Sequence, residues 1–148
     1  NLSLDRHSVI NEPFDTKVGT WAVCGFPDEF TKEQESIGCF DAIKRYEGNC
    51  LLGAIHKEYS SGNYDYLELI ADYQNDLPLS FGGISGGGLW HIVLEQPPQG
   101  CIRVKAMILS GVVFYQSAPE NNIRSIKCHG RISVYRMAYE HITGFFNS

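Results

Sequence analysis

The sequence predicts an all-β domain, a barrel or a sandwich, carrying one C-terminal helix. Three observations predict it. About six short runs rich in Val, Ile, Leu and aromatic residues recur at regular spacing, separated by clusters of Gly, Pro, Asn and Asp. Two of these runs flank Ser60-Ser61-Gly62-Asn63, which reads as the turn of an antiparallel hairpin. Near the end the period changes: Ile132, Tyr135, Tyr139 and Ile142 recur at three- and four-residue steps and Gly144 follows, the pattern of an amphipathic helix with a stop.

The elements follow in order. Residues 1–17 are polar, hold one Pro and show little periodicity, so they read as an irregular lead-in to a domain spanning 18–148. Val18 to Phe26 is a strand ended by Pro27-Asp28-Glu29, and 28–36 is charged and loop-like. Cys50 to Tyr59 is the first arm of the hairpin. Tyr64 to Tyr73 is the second, with Tyr64, Tyr66, Glu68 and Ile70 on one face and Leu67, Leu69 and Ala71 on the other. Leu89 to Leu94 is a strand broken by Gln96-Pro97-Pro98-Gln99-Gly100. Cys101 to Tyr115 is a long strand with Gly111 inside it, 117–122 is a turn, and Ile123 to Cys128 is a short strand.

Composition narrows the function. A chain of 148 residues, 43% hydrophobic and 12% aromatic, can bury its own core and is not of the disordered type. A net charge of −5, with no basic cluster longer than Lys44-Arg45, argues against nucleic acid. No apolar run approaches the roughly 18 residues that a membrane span needs. The start shows neither a signal-peptide pattern nor a Met, so the chain is expected to have been cut from something longer. Cys24, Cys39, Cys50, Cys101 and Cys128 are widely spaced with no C-x-x-C pair, so no zinc site and no other cofactor is expected. They read as reduced thiols, which gives a cytoplasmic expectation. The triplet Asn1-Leu2-Ser3 reads as a chance match to a glycosylation site.

The residue that carries chemistry is Ser85, within Gly83-Ile84-Ser85-Gly86-Gly87-Gly88 between two apolar runs. Glycines let the backbone turn sharply and point N–H groups at a ligand. Acyl transfer needs an exposed hydroxyl beside backbone donors that stabilise an oxyanion. A plain serine in a tight turn is the competing reading.

Four landmarks then stand in the order of one family. Val18-Gly19-Thr20-Trp21-Ala22-Val23-Cys24-Gly25-Phe26-Pro27 looks like an opening strand and Gly-aromatic-Pro turn. Gly83-Ile84-Ser85-Gly86-Gly87 looks like a G-x-S-G-G nucleophile loop. Leu109-Ser110-Gly111-Val112-Val113-Phe114-Tyr115 looks like the cleft strand that follows it, and His129-Gly130-Arg131-Ile132-Ser133-Val134-Tyr135 like the strand edge leading into the last helix. Over residues 18–143 the chain resembles the C-terminal half of a trypsin-like, chymotrypsin-fold serine protease. The resemblance implies an antiparallel six-stranded β-barrel with a C-terminal α-helix, one barrel of a double-barrel fold. It implies Ser85 as nucleophile, the N–H groups of Gly83 and Ser85 as oxyanion hole, and a triad His and Asp from an N-terminal barrel that this chain lacks.

It also places Phe114, Tyr115 and Gln116 along the substrate cleft wall and Gly130 in the pocket, and makes a peptide or protein the substrate. Ile84 stands where digestive members have Asp, so activation through an ion pair to a new N-terminus is not expected. Gly88 stands where Pro is common, which is expected to loosen the loop. Asp76 is a candidate acid for a specificity pocket, with a solvated turn as its plainer reading, and Asp72 flanks the same approach. Of His7, His56, His91, His129 and His141, only His129 falls beside the inferred cleft, where a structural role at a strand end is the stronger reading. A protease-shaped barrel without a working triad, serving as a protein-binding module, is the alternative.

Overall fold

The computed structural model describes residues 15–34, 43–72, 82–118, 120–121, 123–139, 141–142 and 144. Its strands are β1 (Thr20–Gly25), β2 (Thr31–Gln34), β3 (Ile43–Tyr46), β4 (Asn49–Gly53), β5 (Ile55–Ser61), β6 (Tyr64–Asp72), β7 (Gly88–Glu95), β8 (Arg103–Gln116) and β9 (Ile123–His129), followed by one helix, α1 (Ile132–Tyr139). Seven strands form one antiparallel sheet in the order β4-β1-β7-β8-β9-β6-β5, and β2 and β3 form a separate ribbon.

The seventh strand corrects the expected six, and its origin is local. The run predicted as one strand over 50–59 divides at Ala54, so that β4 pairs with β1 while β5 pairs with β6. The two margins of the sheet are therefore consecutive in the chain. At the junction, a Cβ placed on Gly53 would lie 3.8 Å from Leu69 and from the Ile70 carbonyl, so the end of β4 reaches β6. The hairpin β5–β6 is as read, with Gly62 at φ +60 as the first residue of a two-residue turn.

Alternation sets the core. Trp21 and Val23 of β1, Leu67 and Leu69 of β6, and Ile126 and Cys128 of β9 are buried at every second position, and Leu51, Leu89, Val113 and Ile84 join them. Each such aliphatic side chain contributes about 1.5–3 kcal/mol by leaving water. On the other face a single row runs Gly88–Val112–His129–Tyr66 across four strands.

Three bulges interrupt β8, one opposite Val93/Leu94 and two nearer its C-terminal end. Of the latter two, one lies opposite Leu89/Trp90 and leaves Ser110 as the extra residue, its side chain wholly buried. The other falls between Val113 and Tyr115, so that Phe114 and Tyr115 are both exposed, at 40% and 50%, though adjacent in sequence.

Three further expectations change. The loop read over 28–36 contains a single 3-10 turn at Asp28–Phe30 and then β2, whose polar sequence hides it. The helix begins where expected but winds with the wide π-type turn, which takes in more residues per turn than the α period. Ile132 and Ile142 of the expected stripe are 42% and 54% exposed, and Arg131, Ser133 and Tyr135 are the buried positions. Finally, Cys24 and Cys50 lie directly opposite each other on β1 and β4 and are joined by a disulfide. That corrects the reading of reduced thiols and removes the basis of the cytoplasmic expectation. Cys101 and Cys128 are free, exposed and buried respectively. Cys39, His7, Asp76 and the lead-in over 1–14 lie outside the described residues. Among the described residues no helix is long and apolar enough to cross a membrane.

Candidate functional site

The glycine loop is pinned at both ends. The Gly82 carbonyl accepts a hydrogen bond from Asp28 N at 2.7 Å. Ile84 is 2% exposed and packs into the core against Gly25. Beyond it, Gly86 N donates to the Val113 carbonyl at 2.8 Å, Val113 N donates to the Gly87 carbonyl at 2.9 Å, and Gly87 N donates to the Ile84 carbonyl at 2.8 Å. Gly83 and Gly86 have φ +84 and +85, a left-handed conformation that L side chains rarely adopt. Gly87 passes so close to β1 that a Cβ would stand 2.6 Å from the Cys24 carbonyl. Gly88, expected to loosen the loop, is instead the first residue of β7, paired with Cys24 and Val112.

Ser85 sits between these anchors and is exposed. Its neighbours on either side face opposite duties: Ile84 holds the core and Gly86 holds β8. Among the described residues, the amides of Gly83 and Ser85 are engaged in no hydrogen bond, whereas those of Gly86 and Gly87 are used. No histidine or carboxylate among the described residues bonds to the Ser85 hydroxyl.

The other expected site residues are placed as follows. Phe114, Tyr115 and Gln116 continue β8 beyond Val113, the residue that clasps the loop, so they extend from the glycine loop along one strand. Gly130 is buried; its N–H donates to the Asp65 carbonyl at 2.9 Å, and the Asp65 carboxylate occupies the space a Cβ would need. Gly130 is therefore a close-packing position and not an open pocket residue. Asp72 closes β6 opposite Ile123.

The histidines divide by environment. His56 and His141 are exposed. His91 is buried beneath Trp21, ring centroids 4.5 Å apart and nearly parallel. Its Nε2 donates to the Val18 carbonyl at 2.7 Å and its Nδ1 accepts from Arg131 at 3.3 Å, while Arg131 also donates to Ser110 Oγ at 3.1 Å. Burial pushes the His91 pKa below its ordinary value; the Val18 bond opposes this and the Arg131 charge adds to it. Burial likewise raises Tyr135, whose hydroxyl donates to the Leu109 carbonyl at 2.9 Å, and pushes the Cys128 thiol up to about 12.

His129 ends β9 inside a ring cluster with Phe114 at 4.5 Å, Tyr66 at 5.1 Å and Tyr64 at 6.0 Å, and its Nδ1 is buried without a hydrogen-bond partner among the described residues. It borders a cleft of about 370 Å³ under α1.

Sequence reading missed Asp65, Ser110 and Arg131. Asp65 follows a turn and reads as ordinary turn chemistry, and the bulge that buries Ser110 is set by pairing with β7. Among the described residues no cluster of His, Cys, Asp and Glu could hold a metal ion. Comparison with family models, curated proteins and solved structures found no match.

Proposed function

We propose that the chain is the nucleophile-bearing half of a trypsin-like serine endopeptidase. The observation that carries this reading is the setting of Ser85: an exposed hydroxyl between a core-anchored Ile84 and the Gly86–Val113 hydrogen bond. In the proposed mechanism Ser85 attacks the peptide carbonyl, the amides of Gly83 and Ser85 stabilise the oxyanion, and an acyl-enzyme forms as the amine leaves. The proton passes through a histidine oriented by an aspartate, both supplied by an N-terminal barrel of the same precursor or of another chain. The substrate lies against Phe114, Tyr115 and Gln116.

The sheet supports a barrel in this proposal. If β4 and β5 are two arms of one strand bent at Ala54, the seven strands become six staves and the sheet closes on itself. The spatial order β7, β1, β4/β5, β6 is then that of a Greek key, with the fourth strand returning beside the first.

The absence of a histidine bonded to Ser85 among the described residues favours a second reading, a barrel that binds protein without cleaving it. A fluorophosphonate probe on the native full-length protein separates the two. Covalent labelling lost in Ser85→Ala is expected of the peptidase; no labelling of the folded protein, alone or with its partner barrel, overturns it.

A further inference from the structure

We propose that the cleft lined by Phe26, Asp28, Tyr46 and Gly83 is a binding site for a quaternary ammonium group of the trimethylammonium type. The inference does not rest on the peptidase reading, because Ser85 does not line this cleft.

Three separate parts of the chain build the cleft. Phe26 and Asp28 flank the buried Pro27 in the turn after β1, Tyr46 ends β3, and Gly83 belongs to the glycine loop. Asp28 N donates to the Gly82 carbonyl at 2.7 Å, and the Asp28 carboxylate occupies the space that a Cβ on Gly83 would need. The Phe26 ring lies on Gly48, where a Cβ would stand 3.2 Å from it. Both aromatic residues are nevertheless more than half exposed, Phe26 at 56% and Tyr46 at 57%. A volume of about 340 Å³ lies at the small end of ligand sites and suits a compact head group.

Charge and hydrogen-bonding capacity select the ligand. Among the described residues the Asp28 carboxylate makes no hydrogen bond and no ion pair, and no Lys or Arg lines the cleft. Lys32, on the strand paired with β3, is engaged by Glu47 instead, at 3.1 Å. An anion would meet the Asp28 carboxylate without a counter-charge, and a neutral apolar molecule would leave that charge unanswered. A primary ammonium brings three N–H donors and a guanidinium five. The four lining residues offer only one carboxylate and one hydroxyl as side-chain acceptors. A quaternary ammonium brings no donor to satisfy. Asp28 balances its charge, and its methyl groups lie on aromatic rings whose quadrupoles attract a cation.

The experiment titrates the folded protein separately with choline, with its uncharged isostere dimethylbutanol and with ethanolamine, following the ring protons of Phe26 and Tyr46 by NMR. Saturable choline binding that shifts both rings is expected, with the isostere and ethanolamine each about tenfold weaker. Asp28→Asn, which removes the charge and keeps the shape, should bring choline and its isostere to equal affinity, and Tyr46→Leu should weaken choline. Absence of saturable choline binding, equal affinity for the isostere or for ethanolamine in the parent protein, or choline binding undisturbed in a folded Asp28→Asn variant would overturn the site. If either variant fails to fold, the affinity ratios and the two ring shifts in the parent decide it. N-acetyl-trimethyllysine amide distinguishes the sources of such a group: affinity above that of choline assigns the site to a methylated lysine side chain, affinity below it to a free choline-type molecule, and either result sustains the quaternary ammonium site.

Discussion

Asp65 and Ser133, 68 residues apart, exchange hydrogen bonds where β6 begins and α1 starts. The Asp65 carboxylate accepts from Ser133 N at 2.7 Å and from the Ser133 hydroxyl at 2.7 Å, and the Asp65 amide donates to Ser133 Oγ at 3.0 Å. Ile132 N adds a further bond to the other carboxylate oxygen at 3.1 Å. The pattern is that of a capping box, with the acid delivered by a distant strand. Asp65→Ala should cost about 2–3 kcal/mol and Asp65→Asn less, because the amide keeps one acceptor. Urea denaturation with far-UV circular dichroism reads both.

Ile84 and Ser85 are neighbours with opposite thermodynamic weight. Ile84→Ala should destabilise by about 2–5 kcal/mol, since it empties a core position beside Gly25. Ser85→Ala should stay within about 0.5 kcal/mol, since the exposed hydroxyl makes no bond among the described residues. Paired denaturation curves test this; a large loss on Ser85→Ala would mean the hydroxyl is structural.

Stability should depend on His91. Burial holds its folded pKa below the ordinary imidazole value of about 6.5, so the unfolded chain binds the proton more readily. The contribution is fully present above about pH 6.5 and is lost as pH falls through the folded pKa. The protonated ring would turn a donor toward Arg131, replacing an accepted hydrogen bond with charge repulsion. Denaturation midpoints measured from pH 8 to pH 5 should fall on the acid side, and His91→Gln should flatten that slope.

Thiol reactivity should be uneven. With Cys24 and Cys50 bonded and Cys128 buried with its pKa pushed up to about 12, Cys101 is the one of these four that a maleimide should modify in the native state. Peptide mapping without reductant checks the pairing. Reduction should cost about 3–4 kcal/mol for a link spanning 26 residues, read from the shift in unfolding midpoint.

The period-two strands were legible because burial on one face forces alternation: Leu67 and Leu69, or Ile126 and Cys128, announce their own face. The break at Ala54 was not, because the residues on both sides stay apolar and only their different partners divide them. The ribbon β2–β3 was hidden for the opposite reason, since Thr31-Lys32-Glu33-Gln34 carries no apolar alternation. In the candidate site, the loop bearing Ser85 could be read from its glycines, which the chain needs for two left-handed turns and a close pass by Cys24. The Cys24–Cys50 pairing and the Asp65 cap could not, because each joins residues whose proximity is created by the sheet. Gly130 reads as a turn or pocket glycine until the Asp65 carboxylate beside it is seen.

Ala54 ties the first and last members of the seven-stranded array with one residue. An unpaired β ladder invites association with other chains. Cutting the backbone there would remove, with one scission, the direct chain link between the two outer strands. Resistance of that bond to proteolysis thus decides whether both borders of the sheet stay on one continuous stretch of chain.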